Sequence, residues 1–105
     1  MSFENPAASP YSFSYGVILA NAPRTSGVYG LFNGAECIYI GETENVFRAL
    51  MGHLLETETA VSKKGPTGFV FEVCRAENRK ALQALFTSRF RPACTDRPEL
   101  LIRER

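Results

Sequence analysis

Three β-rich runs and two runs of helical period organise this chain. Residues 27–32 and 36–41 flank Asn33-Gly34, the dipeptide that most strongly marks a tight hairpin, so the two runs are expected to pair antiparallel. Thr43 follows as a candidate helix cap, and Glu44 suits the positive end of the helix dipole. Behind it Val46, Leu50 and Leu54 form one apolar row with Phe47 and Met51 beside it. Gly52 interrupts that helix at a cost of about 1 kcal/mol relative to Ala, which implies a packing or functional reason for it. Lys63-Lys64-Gly65-Pro66 reads as a loop. Phe69, Phe71 and Val73 then alternate with polar or smaller neighbours, predicting a third strand over residues 68–74. A second helix is expected over residues 77–90, with Leu82, Leu85, Phe86 and Phe90 facing inward and Pro92 ending it.

The start of the chain is less regular. Residues 1–10, with Pro6 and Pro10, read as a poorly ordered tail. Residues 11–21 admit two readings: Phe13, Tyr15, Val17 and Leu19 alternate like a strand, yet Val17-Ile18-Leu19-Ala20 equally suits the beginning of a helix. Either way the segment is expected to pack as an accessory element. The order β-β-α-β-α predicts an α/β (α+β) domain with a three-stranded, largely antiparallel sheet and helices covering one face. Residues 1–22 form the tail and accessory element, and residues 23–105 the domain proper.

Composition narrows the possibilities. A length of 105 residues allows one domain with one modest core, and an apolar content of 45% is that of a globular protein. No apolar run approaches a membrane span, and no signal peptide opens the chain. Cys37, Cys74 and Cys94 form no CxxC pair, so they are read as reduced thiols of a cytoplasmic protein. A net charge of +1 argues against a protein that coats nucleic acid by bulk electrostatics. The charge is nonetheless uneven: from Arg75 onward stand seven arginines and Lys80 against four acids. That basic third is either a solvated surface or a phosphate contact.

The segment SGVYGLFNGAECIYIGETENVFRALMGHL resembles the GIY-YIG nuclease superfamily. Gly27-Val28-Tyr29 matches the first motif and Tyr39-Ile40-Gly41 the second, at the family's spacing. Thr43, Asn45, Val46 and Leu50 fit the helix that follows, and His53 falls where a His or Tyr often stands. Residues 82–92 resemble the second helix, ending in Arg91-Pro92. The resemblance implies a single-metal phosphodiesterase in which the second tyrosine helps to generate the attacking water. An arginine on the first helix would steady the phosphate, and a glutamate on the second would hold Mg²⁺. Carried over, Tyr29 and Tyr39 take the paired tyrosine positions and His53 a place near the phosphate.

The charged half of the pattern is missing. Ala49 stands where the arginine is expected, eight positions after Gly41. Arg48 is one residue early, hence about 100° around the helix from the stripe of Ala49 and His53. Gln83 stands where the glutamate is expected, and its neutral amide is a poor substitute for the carboxylate that Mg²⁺ prefers. Thr95 replaces a late asparagine.

The two tyrosines can cooperate only from one face of the sheet. A three-residue loop, Phe32-Asn33-Gly34, with Gly34 at positive φ as a bulge, would achieve that by pairing Tyr29 with Cys37. The leading expectation is a degenerate domain that binds DNA, RNA or a protein partner without cutting and without a cofactor, with Tyr29, Tyr39 and His53 lining a shallow groove and Arg89, Arg91 and Arg48 contacting phosphate. The alternatives are an active endonuclease with Glu42 or Glu72 holding Mg²⁺, and a purely structural module.

Overall fold

The computed structural model describes residues 10–94. All of the expected tail but Pro10, and Thr95, lie outside the described residues.

After a short first strand, β1 (Tyr11–Ser12), the two expected hairpin strands are present: β2 spans Gly27–Asn33, β3 spans Glu36–Thr43, and the two are antiparallel. β4 (Gly68–Val73) lies antiparallel on the other side of β2. The sheet has four strands rather than three, in the order β1-β4-β2-β3. β1 pairs Tyr11 with Phe69 and Ser12 with Gly68. Its two residues carry no periodicity. They are held instead by Tyr11 stacking on Phe69 and Phe71, with ring centroids 5.2 and 5.9 Å apart. The ambiguous segment is thus both things in turn, because a helix, α1 (Tyr15–Asn21), follows at once and buries Ile18 completely.

The remaining helices are α2 (Val46–Leu55), the short α3 (Ala60–Lys63) and α4 (Arg79–Phe90). They divide between the two faces of the sheet rather than gathering on one. Ile18, Val46, Leu50 and Val61 pack with Tyr29, Leu31, Ile38, Tyr39 and Phe69. Leu82, Phe86 and Phe90 of α4 pack with Val28, Phe32, Cys37, Ile40 and Val70. Leu85, expected inside, is 58% exposed. A 3₁₀ turn at Ala76–Asn78 delivers the chain into α4 with Leu82, Phe86 and Phe90, four apart, toward the sheet, and Leu85 lies about 100° off that row.

Two local expectations are corrected. Thr43 does not cap α2. Asn45, in an extended conformation, accepts from the Arg48 backbone N–H at 3.0 Å, while Thr43 Oγ1 accepts from the Asn45 N–H one step earlier. The hairpin loop has two residues, Gly34-Ala35, closed by the Asn33–Glu36 pair, with Gly34 at φ +62°. Tyr29 consequently pairs with Gly41, not Cys37. The odd residue that brings the tyrosines to one face is a bulge at Ile38, between the pairs Phe32–Cys37 and Leu31–Tyr39. Among the described residues no helix is long and apolar enough to cross a membrane.

Candidate site around the paired tyrosines

Tyr29 and Tyr39 project from neighbouring strands onto the face covered by α2, where His53 meets them. The Tyr29 hydroxyl and His53 Nε2 are hydrogen-bonded at 2.8 Å. The ring centroids lie 6.1 Å apart for the two tyrosines, 5.6 Å for Tyr29 and His53, and 5.2 Å for Tyr39 and His53. His53 is inside because it continues the buried stripe of α2, Val46, Leu50 and His53, at spacings of four and three. The three groups are 3%, 1% and 8% exposed, so they form part of the core rather than lining an open groove.

The motif glycines explain how the rings fit. Gly41 faces Tyr29 across the strand pair, and a Cβ at Gly41 would lie 2.5 Å from the Tyr29 Cζ and hydroxyl oxygen. The second motif's glycine is therefore the floor on which the first motif's tyrosine lies. At Gly27 a Cβ would come within 2.6 Å of the Glu72 carbonyl oxygen and 3.0 Å of a Val46 methyl. Its absence lets β4 and the start of α2 close together.

The other residues singled out in the sequence are elsewhere. Arg48 is exposed on α2, and Ala49 packs at the margin of the core. Arg89 and Arg91 are exposed at the end of α4. Arg89 lies 5.3 Å from the Phe90 ring, and Arg91 adopts the left-handed conformation, φ 51°, that closes the helix before Pro92. Beyond that proline the backbone N–H groups of Ala93 and Cys94 donate to the carbonyls of Cys37 and Ile38 on β3.

Gln83, at the position of the expected glutamate, and Glu42, one of the two alternative carboxylates, both have partners within the protein. Gln83 Nε2 donates to the Ile40 carbonyl at 3.2 Å. Glu42 is 14% exposed and bound by Arg79 Nε at 2.7 Å and Lys80 Nζ at 3.5 Å, while Arg79 also donates to Ser26 Oγ at 3.2 Å. Burial pushes the Glu42 carboxyl up, but the Arg79 hydrogen bond and the two cations outweigh it and hold the pKa below the usual value. Glu72 is exposed. Among the described residues no three His, Cys, Asp or Glu side chains cluster as metal ligands. The Glu42–Arg79 and Gln83–Ile40 contacts went unseen in the sequence, since they join residues 37 and 43 positions apart without a motif.

No protein-family model matches the sequence, and no curated protein is significantly similar to it. Among solved structures the chain is similar to the GIY-YIG N-terminal endonuclease domain of UvrC from Thermotoga maritima bound to magnesium, its catalytic divalent cation. The TM-score is 0.64 at 22% identity, over 76% of this chain and 97% of that one. An asparagine-to-alanine variant of the same domain, bound to its catalytic divalent cation, gives a TM-score of 0.66 at 22% identity, over 80% of this chain and all of the other. A tyrosine-to-phenylalanine variant gives 0.65 at 22% identity, with the same coverage. The chain has the fold of the GIY-YIG nuclease superfamily.

Proposed function

We propose, with the GIY-YIG fold as the premise, that this chain is a nuclease-like domain that binds the nucleic-acid backbone without cutting it. The observation that carries this reading is the closure of the tyrosine site by its own side chains. Backbone hydrolysis needs an activated water beside the phosphorus, a Lewis acid, and positive charge on the developing oxyanion. Here Tyr29 and Tyr39 are almost wholly buried, and the Tyr29 hydroxyl is engaged by His53. Ala49 brings no charge, and the Gln83 amide is occupied by a strand carbonyl. Among the exposed cations, the guanidinium groups of Arg48, Arg89 and Arg91 suit positioning contacts to phosphate that carry no sequence preference.

The reading is tested by fluorescence anisotropy with labelled DNA and RNA, alongside plasmid incubation with Mg²⁺ or Mn²⁺. Three phosphate contacts predict that affinity falls about 40-fold between 50 and 200 mM salt, with no nicking. Binding insensitive to salt overturns the phosphate contacts. Metal-dependent nicking that disappears in Tyr39→Phe establishes an endonuclease instead. A second reading, a protein partner, has one observation in its favour: Tyr15 and Leu19, one helical turn apart on α1, are 58% and 49% exposed. Absence of nucleic-acid binding at low salt would leave that reading standing.

A further inference from the structure

α4 reaches β3 through two polar contacts as well as through its apolar row. Arg79 and Gln83 are four residues apart and so lie on one side of the helix. Arg79 holds Glu42, the residue after Gly41, and Gln83 donates to the carbonyl of Ile40, the residue before it. The two contacts bracket the glycine on which Tyr29 rests. Glu42 is further held by Lys80, and Arg79 is tied to Ser26 just ahead of β2. The helix position to which the family resemblance gives a metal-holding carboxylate is therefore filled by an amide that uses its N–H on the strand.

We infer that Gln83 and Arg79 form a metal-independent latch fastening α4 to β3, and that placing a metal ligand at position 83 breaks this latch rather than restoring a metal site. The chemistry follows from the inventory of donors. A glutamine offers both an N–H and a carbonyl, whereas an ionised glutamate only accepts. Gln83→Glu would set a negative oxygen against the Ile40 carbonyl, leaving that acceptor without the donor it now has. Glu42, two residues along β3 from Ile40, is already neutralised by two cations, so a new carboxylate gains no second anionic ligand from it. The inference concerns stability and ion dependence, and its outcome is separate from nucleic-acid binding.

Gln83 is the only glutamine in the chain, so its side-chain NH₂ pair, which stands among those of five asparagines in a ¹⁵N spectrum, is identified as the one pair lost in Gln83→Met. In the wild-type protein that pair is expected to exchange slowly with solvent and to be unaffected by excess Mg²⁺ or by EDTA. In urea, Gln83→Glu is expected to raise the unfolding equilibrium constant by roughly 10- to 100-fold at neutral pH, and Gln83→Met by roughly 3- to 10-fold. Neither variant should gain a melting midpoint that rises with Mg²⁺. A Gln83→Glu protein as stable as wild type, or one stabilised saturably by Mg²⁺, overturns the latch. If Gln83→Glu fails to fold, the wild-type spectrum decides: an amide pair with the exchange rate of free glutamine would also overturn it.

Discussion

The contact between Gly41 and Tyr29 makes the sharpest quantitative test of the structure. In Gly41→Ala the new methyl group would sit 2.5 Å from both Cζ and the hydroxyl oxygen of Tyr29, and 2.8 Å from Cε1. The ring has little room to yield, being 3% exposed and tied to His53 at 2.8 Å. Overpacking of this kind costs about 1–3 kcal/mol. Pulling the hydroxyl from His53 leaves a buried polar group unsatisfied for about 1–3 kcal/mol more. Replacing a strand glycine by alanine returns about 0.5–1 kcal/mol of backbone entropy. The net expectation is a destabilisation of roughly 3 kcal/mol, a large part of the about 5–15 kcal/mol available to a domain of this size but not all of it. Urea unfolding measures the loss. The ring resonances of His53, the only histidine, report directly on the broken hydrogen bond. A partner substitution separates the clash from other effects. Tyr29→Phe keeps Cζ and Cε1 and should relieve only the hydrogen-bond share of the penalty, whereas in a Tyr29→Leu background Gly41→Ala should become neutral or mildly stabilising. If Gly41→Ala costs less than about 1 kcal/mol and leaves the His53 signals in place, the account of the motif glycine is wrong.

Two further predictions rest on ionisable groups. Arg79→Ala should cost about 1–2 kcal/mol at neutral pH, the partly screened value of the pair with Glu42. Because the folded state lowers the Glu42 pKa, the pair's contribution is complete above the ordinary carboxylate value and fades as pH falls through the lower folded one. The gap in urea midpoint between wild type and Arg79→Ala should therefore narrow in acid, and a gap as wide at pH 2 (about two units below a free carboxylate) as at neutral pH would count against the assignment. Burial pushes the Cys37 thiol up to about 12, so almost none is thiolate at pH 8 (about one part in ten thousand). Iodoacetamide should modify the half-buried Cys74 and Cys94 first and reach Cys37 only on unfolding, which mass spectrometry of the native protein checks.

Much of the fold was legible because it is local. The hairpin, α2, β4 and most of α4 follow from turn chemistry and apolar period, and each appears within a few residues of where the pattern puts it. β1 was not legible, because two residues cannot show a period and its place depends on stacking against Phe69, far along the chain. Asn33-Gly34 located the turn but not its type. Asn33 turned out to be a flanking residue whose amide donates to the Gly65 carbonyl at 2.8 Å, leaving Gly34 as the first residue of the loop. The apolar pattern of α4 tolerates two phases, and the structure takes the one that leaves Leu85 58% exposed. At the site, the family resemblance singled out Tyr29, Tyr39 and His53, which the structure brings together. The depth of their burial depends on α2 lying across the sheet, a tertiary fact that spacing does not encode.

The bulge at Ile38 separates two jobs that a regular hairpin assigns to one feature. In a regular pair the length of the turn decides which side chains face which way, so altering the tip rephases the whole strand. Here the frame is reset within β3, four residues beyond the glycine of the turn, and Tyr39 lies downstream of the reset. The exposed tip at Gly34-Ala35 thus becomes a permissive place to graft an epitope or fluorophore, while Ile38, with no solvent exposure, is where a change in chain length would be felt in the core.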